Sequence, residues 1–179
     1  MIKAVFFDRD GVVNEVIDRG ENFFVEGKKI RFSAPYRYSE FCLKLGVAET
    51  LEAVGRLGYL RILVTNQPDI VYGKLPQEEH DRIMAEVKKL PFDDIFICFH
   101  GRNDGCLCKK PLPGMLLEAA KKWDIHLPSS YMIGDTNNDL EAAKSAGVRS
   151  VVISDGRNSH LEAGSRIENL LSILEIINE

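Results

Sequence analysis

At 179 residues, with 45% hydrophobic and 28% charged residues, the chain has the composition of a single globular domain spanning 1–179. A formal net charge of -4 gives no reason to expect a nucleic-acid partner, and no apolar run approaches the roughly 20 residues that cross a membrane. Met1-Ile2-Lys3 leads directly into a predicted strand without a signal peptide, so we expect a cytoplasmic protein whose four cysteines are thiols or metal ligands.

Short apolar runs alternate with amphipathic segments along the chain. The apolar runs predict strands buried on both faces of a parallel sheet, at Lys3 to Phe7, Arg61 to Val64, Asp94 to Phe99, Ser130 to Ile133 and Arg149 to Ile153. Helical spacing predicts helices at Val47 to Leu57, Gln77 to Leu90, Met115 to Trp123, Asn138 to Ala146 and Ile167 to Ile177. This alternation predicts an α/β fold with a doubly wound, mainly parallel sheet.

One segment, Val16 to Leu45, does not fit this alternation. It is too long for an ordinary strand-to-helix loop, and its many aromatic residues argue against disorder. A flap or hairpin over the site and a purely structural insertion are both open interpretations. Between Thr65 and Lys110 the chain has room for one helix and one strand, so we expect no large cap domain.

Polar side chains follow four of the predicted strands. Ligands of open α/β sheets bind beyond the carboxyl ends of the strands, so these residues predict a site at one sheet edge. They are Asp8, Arg9 and Asp10; Thr65, Asn66 and Gln67; His100, Lys109 and Lys110; and Asp135 with Asp139. Simpler interpretations stay open: the first aspartates could form a turn, Thr65-Asn66 could cap a helix, the lysines could be solvated, and Asp139 could complement a helix dipole.

The segments DRDGVVN, VTNQ, KKP and GDTNND occur in this order on those elements. Together they resemble the four motifs of the haloacid dehalogenase (HAD) superfamily, over almost the whole chain. The resemblance implies a HAD-like Rossmannoid fold and a phosphatase with an aspartyl-phosphate intermediate. A phosphomutase usually needs a cap, a dehalogenase needs no acid at Asp10, and P-type ATPases carry threonine there, so we disfavour these branches.

The resemblance also implies a role for each motif residue. Asp8 would attack phosphorus as an already ionised carboxylate, and Asp10 would protonate the leaving alkoxide and then activate water. Thr65 and Asn66 would donate hydrogen bonds to the transferring phosphoryl group. Lys110, which Pro111 follows as in the family's Lys-Pro signature, would neutralise its charge.

A magnesium ion is expected beside the nucleophile. Two carboxylates at 4 Å repel by about 4 kcal/mol at an effective dielectric constant near 20, so Asp8 and Asp135 need a cation between them. An oxygen-only site favours Mg²⁺. By the resemblance its ligands are the side chains of Asp8 and Asp135 and the main-chain carbonyl of Asp10, with Asp139 supporting them from behind.

A second cluster of metal-binding residue types lies in CFHGRNDGCLC. Cys98, His100, Cys106 and Cys108 would complete a tetrahedral Zn²⁺ shell with no position left for water, which is typical of a structural site. Such a zinc loop, about 98–108, would also position the lysines that follow it. In the alternative interpretation Cys98 is a core thiol and the other three are ordinary loop residues.

The combination of this cluster with CLCKKPLPGMLLEAA resembles the heptose 1,7-bisphosphate 7-phosphatases and the related histidinol-phosphate phosphatases. The resemblance implies a small phosphorylated metabolite as the partner, most simply a heptose bisphosphate, with histidinol phosphate or another phosphosugar as alternatives. It places Lys109 against the substrate and Arg9 and Gln67 at the entrance. A non-catalytic, zinc-stabilised binding scaffold is the alternative from another class.

Three departures from that subgroup lie where specificity would be set. Pro68-Asp69 stands where the subgroup has Ser-Gly, the loop between His100 and Cys106 is short, and the segment 16–45 is long.

Overall fold

The computed structural model describes residues 1–178. Its ten strands are β1 (Lys3–Phe7), β2 (Ile17–Asp18), β3 (Phe24–Val25), β4 (Lys28–Lys29), β5 (Phe32–Ser33), β6 (Tyr59–Asn66), β7 (Asp94–Cys98), β8 (Tyr131–Gly134), β9 (Arg149–Ile153) and β10 (Ser165–Ile167). Its α-helices are α1 (Val47–Arg56), α2 (Gln77–Val87), α3 (Gly114–Trp123), α4 (Asn137–Ala146) and α5 (Ile173–Ile177). Short 3₁₀ turns lie at Tyr38–Glu40, Leu127–Ser129 and Leu170–Ser172.

Six of these strands form one sheet in the order β10-β9-β8-β1-β6-β7, and each neighbouring pair is parallel. Successive residues of a strand face opposite sides, so Phe6 and Phe7 enter two different cores. The core around Phe7 packs against α1, α2 and α5, and the core around Phe6 packs against α3 and α4. The predicted doubly wound α/β fold is therefore confirmed.

The predicted helix at Ile167 to Ile177 is wrong in its first half. Ser165–Ile167 is instead the edge strand β10, paired with Val151 to Ile153 of β9. Asn169 then accepts a hydrogen bond from the Ser172 N–H through its side chain, which starts the turn that leads into α5. The helical spacing of buried Leu170, Ile173 and Ile177 is real, but it begins only after the strand has completed the sheet edge.

Residues 16–45, which we call the arm, form two nested β-hairpins. The outer hairpin pairs Ile17 with Ser33, and the inner one pairs Val25 with Lys28. The inner turn has positive φ angles at Glu26 (49°) and Gly27 (72°), as a tight two-residue hairpin turn requires.

The arm is fastened at its base by Arg19. Both terminal nitrogens of its guanidinium donate to the Glu40 carboxylate at 2.7 Å, and the guanidinium lies 4.2 Å from the centre of the Tyr36 ring. Hydrogen bonding to Arg19 lowers the pKa of Glu40 to about 2, so this ion pair persists at any pH near neutrality. The first and last parts of the arm are therefore held together at its base.

Within residues 1–178, no helix combines the length and the apolarity needed to cross a membrane.

Candidate active site

Seven of the polar residues predicted at the strand ends line one cavity. The cavity has a volume of about 640 Å³ and lies at the carboxyl edge of the sheet, where Asp8 follows β1 and Asp135 follows β8. Of the predicted site residues, the cavity is lined by Asp8, Asp10, Asn66, Lys109, Lys110, Asp135 and Asp139. Residues of the arm, including Val25, Lys28 and Phe32, form part of its wall.

Lys110 is buried between two carboxylates at the floor of the cavity. Its Nζ lies 2.8 Å from Asp8 Oδ1 and 2.5 Å from Asp139 Oδ1, and it donates to the Val64 carbonyl at 3.0 Å. Burial alone would lower the pKa of Lys110, but the charges of Asp139 and Asp8 outweigh it and raise the pKa. The ammonium therefore stays charged beside the expected nucleophile.

The carboxylates around Lys110 fit a divalent cation. Oxygen atoms of Asp8, Asp135 and Asp139 lie within 4.8 Å of one another. Burial and the neighbouring aspartates, opposed by Lys110 at Asp8 and by Arg157 at Asp135, raise the pKa of Asp8 to about 7 and that of Asp135 to about 8. Asp135 Oδ1 is buried without a hydrogen-bond partner in the part of the chain that the structure describes. A hard cation would satisfy this oxygen and stabilise the ionised carboxylates.

Gly11 keeps this carboxylate pocket open. Its φ is 90°, and a Cβ at this position would lie 2.1 Å from Asp135 Oδ2. Any side chain here would therefore displace Asp135, so the glycine is required both by the backbone conformation and by the close approach.

The predicted entrance position of Arg9 and Gln67 is wrong, because both side chains are fully buried. The Arg9 guanidinium contacts both carboxylate oxygens of Asp10, at 2.9 and 3.0 Å, and donates to Gln67 Oε1 at 2.8 Å. Gln67 Nε2 donates in turn to Asp10 Oδ2 at 2.7 Å. A buried guanidinium needs acceptors, and the structure places them beneath the site. These residues therefore orient Asp10 and do not touch the cavity.

Thr65 and Asn66 were expected to donate hydrogen bonds to the phosphoryl group, with a helix cap as the alternative interpretation. They lie within or at the end of β6, well before the start of α2, so the helix-cap interpretation is wrong. Thr65 is buried, and its hydroxyl accepts from Gln67 Nε2 at 2.9 Å. The Asn66 amide donates to the Lys110 carbonyl at 2.9 Å and accepts from the Lys110 N–H at 3.0 Å. The Asn66 side chain thus holds the lysine loop while it also lines the cavity, and its predicted hydrogen bond to the phosphoryl group stays a prediction.

Asp139 fits both of its predicted roles, as a first-turn residue of a helix and as a residue that supports the site from behind. It is the third residue of α4, and its Oδ2 accepts from the Thr136 N–H at 3.1 Å and the Thr136 hydroxyl at 2.6 Å in a capping box. Its other oxygen binds Lys110. The helix start therefore supports the lysine from behind.

The four soft ligands of the second cluster converge. Cys98 Sγ lies 3.2 Å from Cys108 Sγ, 3.7 Å from Cys106 Sγ and 3.5 Å from His100 Nδ1, and Cys108 Sγ lies 3.3 Å from the same nitrogen. Burial and the adjacent thiols raise the pKa of Cys108 to about 12, so thiolates here would need a cation. Three sulfurs and one nitrogen at this spacing fit a tetrahedral Zn²⁺.

The cysteine loop leads directly to the cavity wall. Lys109 Nζ donates to the His100 carbonyl at 2.8 Å, and its side chain lines the cavity near Tyr72. The conformation of the loop therefore determines where Lys109 presents its charge.

Two functional-site residues were missed by the sequence analysis. Arg157, in the loop after β9, donates to Asp135 Oδ2 at 3.2 Å, pairs with Asp155 and lies 4.7 Å from the centre of the Phe32 ring in the arm. Asn158 donates to the Asp135 carbonyl at 3.1 Å. The polar residues that follow four of the predicted strands were considered there. Had those that follow the fifth, Arg149 to Ile153, also been considered, both residues could have been found.

Comparisons with known proteins agree with this geometry. Residues 107–171 match the model of the HAD-hydrolase-like family. The D-glycero-β-D-manno-heptose-1,7-bisphosphate 7-phosphatase of Helicobacter pylori J99 is 35% identical over 154 residues, covering 82% of this chain and 80% of that protein. The D-glycero-α-D-manno-heptose-1,7-bisphosphate 7-phosphatase of Photorhabdus laumondii is 32% identical, covering 98% of this chain and 97% of that protein.

Solved structures show the same relationship. The D,D-heptose 1,7-bisphosphate phosphatase of B. bronchiseptica, solved with magnesium and phosphate, superposes with a TM-score of 0.79 at 26% identity, covering 99% of this chain and 98% of that one. Fold, ordered motifs and near-full-length relatives coincide, and the chain therefore belongs to the HAD superfamily of phosphatases, in the family that contains the heptose 1,7-bisphosphate 7-phosphatases.

Proposed function

We propose that this phosphatase removes the 7-phosphate of a D-glycero-D-manno-heptose 1,7-bisphosphate, in carbohydrate metabolism, with Mg²⁺ as its cofactor. The observation that carries the proposal is the buried Lys110 bridging Asp8 and Asp139 within the cavity, in a chain whose near-full-length relatives carry that activity by name. Relatives named for the α and the β anomer are both present, so the proposal covers both anomers.

The contacts of Asp8 select the oxygen that would attack. Its Oδ1 accepts from Lys110 Nζ at 2.8 Å and from the Arg9 N–H at 2.7 Å, which leaves Oδ2 for phosphorus. In the first step an Asp8–phosphorus bond forms, the ester P–O bond breaks, and Asp10 gives its proton to the leaving alkoxide. In the second step Asp10 takes a proton from water, which attacks phosphorus and releases phosphate and the free Asp8 carboxylate.

Magnesium would be held by Asp8, Asp135 and the Asp10 carbonyl, where it would neutralise charge on the transferring group. Arg9 and Gln67 keep the Asp10 carboxylate in one orientation between the two proton transfers. Lys110 supplies positive charge directly beside the attacking carboxylate.

The remaining cations of the cavity fit a second phosphate. They are Lys28 from the arm, Arg102 and Lys109 from the cysteine loop, and Arg157. A bisphosphate would place one phosphate at Asp8 and the other among these side chains. We also propose that residues 1–179 form a single domain. Its arm, about 16–45, acts as a flap that closes one side of this cavity.

We also propose a structural Zn²⁺ at Cys98, His100, Cys106 and Cys108. These thiol ligands favour a reducing compartment, so a cytoplasmic location belongs to the same proposal. The metal would fix the loop that carries Lys109.

Zinc should be present at about one equivalent in protein purified without added metal, and its removal should lower stability more than it lowers Mg²⁺ binding. Elemental analysis measures the first, and thermal denaturation with and without a zinc chelator measures the second. The same two measurements compare Cys106→Ser, which removes one proposed zinc ligand, with Cys42→Ser, a control at an exposed cysteine outside the cluster. Full activity in zinc-free protein of unchanged melting temperature would contradict the structural site.

The test of the substrate is a panel assayed with Mg²⁺ and with EDTA. We expect both anomers of the heptose 1,7-bisphosphate to give the highest kcat/KM, a lower value for histidinol phosphate and 4-nitrophenyl phosphate, and none with EDTA. A preference for histidinol phosphate would favour that alternative. Absence of turnover on every phosphoester would favour the non-catalytic scaffold.

A further inference from the structure

Asp69 lines the cavity but has no part in the phosphoryl-transfer steps. It lies two residues after Gln67, on the same cavity wall as Tyr72 and Lys109. Its main-chain carbonyl accepts from the N–H groups of Lys74 and Leu75 at 2.9 and 3.0 Å. A closed turn therefore fixes the place at which the Asp69 carboxylate meets the cavity.

The Asp69 carboxylate has few partners for a half-buried charge. Tyr36 Oη donates to its Oδ1 at a long 3.4 Å. From residue 1 to residue 178, no lysine, arginine or histidine nitrogen forms an ion pair with it within 4.0 Å. Burial, and after it the charge of Asp10, raise the pKa of Asp69 against the opposing effects of the Tyr36 hydrogen bond and the charges of Arg9 and Lys109. An ionised carboxylate offers about four acceptor positions, so this one can accept further hydrogen bonds from a ligand.

Among residues 1–178, the one hydrogen-bond donor to the Asp69 carboxylate is Tyr36, which belongs to the arm. Tyr36 is buried, and its ring stacks under Arg19, which Glu40 holds in place. The Tyr36–Asp69 contact joins two of the three sequence departures, namely the long arm and the Pro68-Asp69 pair. The two departures therefore act at one point of the cavity wall.

The charge of the surroundings narrows what Asp69 can bind. Apart from Lys110 and the carboxylates at the phosphoryl-transfer end of the cavity, the other charged groups in its lining are the cations Lys28, Arg102, Lys109 and Arg157. A phosphate would be repelled by Asp69, and an ammonium group would be repelled by these cations. A neutral hydroxyl is the donor that suits a carboxylate in this setting.

We propose that Asp69, oriented by Tyr36, accepts a hydrogen bond from a sugar hydroxyl of the substrate and so selects polyhydroxylated phosphate esters. This inference rests on the proposed function and adds a specificity-determining residue to it. The carboxylate acts on the part of the substrate between its two phosphates, and it takes no proton and forms no bond to phosphorus.

The test compares two substrates in the same enzyme. The measured quantity is kcat/KM for heptose 1,7-bisphosphate divided by kcat/KM for 4-nitrophenyl phosphate, which has no hydroxyl. Asp69→Asn keeps the shape and loses the charge, so we expect this ratio to fall about tenfold, mainly through a higher KM for the bisphosphate. Tyr36→Phe should lower the same ratio less, because the carboxylate remains.

Asp81→Asn, at an exposed position on α2, is the matched control and should keep the parent ratio. If thermal denaturation shows that Asp69→Asn is not folded, the same ratio of kcat/KM values is measured for Asp69→Ser. A ratio within about twofold of the parent in the folded variant would overturn the inference. A parent enzyme unable to cleave the heptose bisphosphate would instead refute the proposed function, and this inference with it.

Discussion

An Asp8→Asn enzyme should hydrolyse phosphate monoesters at least about 1,000-fold more slowly than the parent, because an amide cannot form the acyl phosphate. Its metal-free form should unfold at the same or a higher temperature, since the change removes one of the buried charges that face Asp135 and Asp139. Steady-state assays with saturating Mg²⁺ and calorimetric melting measure the two effects.

The matched control is Asp124→Asn. Asp124 is exposed and has a φ of 52° at the end of α3, a conformation that asparagine adopts readily. Both activity and melting temperature should stay at the parent level. Loss of stability in the nucleophile variant, with activity retained, would show that Asp8 is a structural residue.

Lys110→Met should lower kcat about 100-fold or more and should also destabilise the metal-free protein by about 3–5 kcal/mol. From sequence alone this lysine has only a catalytic role, but its Nζ lies enclosed between Asp8 and Asp139. Its removal therefore leaves two buried carboxylates without their cation. Urea titration measures the free energy of unfolding, and initial rates measure the catalytic effect.

A second substitution separates the two consequences. Lys110→Met combined with Asp139→Asn should recover much of the lost stability, because one unpaired buried charge is gone, but it should recover no activity. Lys109→Met is the neighbouring control for stability, since its ammonium lies at the cavity wall and donates to a main-chain carbonyl, not to a buried carboxylate. A single Lys110 variant as stable as the parent would contradict the enclosed ion-pair network.

The positions of the main site residues could be predicted because local pattern and topology agree. A continuously apolar strand that ends in Asp8 must place that carboxylate at the carboxyl edge of a parallel sheet. The same reasoning brought Asp135 to the adjacent position, because β8 pairs with β1. Similarly, four soft ligands within eleven residues could converge without any long-range information.

The misplaced residues depend on contacts that sequence spacing does not encode. Arg9 turns inward because Gln67, 58 residues away, and Asp10 provide acceptors beneath the cavity. Asn66 lines the cavity, but its amide also binds the main chain of Lys110, 44 residues further on, a contact that sequence spacing does not show. In the same way, β10 becomes a strand because the edge of β9 is free to pair, and this overrides a helical pattern.

The most direct test of the central claim is to trap the covalent intermediate. Asp10→Asn enzyme, mixed with substrate and Mg²⁺ and quenched in acid within milliseconds, should carry one phosphoryl group on the peptide that contains Asp8, as detected by mass spectrometry. The parent should show less of it, and Asp8→Asn none. Full turnover by the parent with no phosphorylated carboxylate under any quench time would contradict the account.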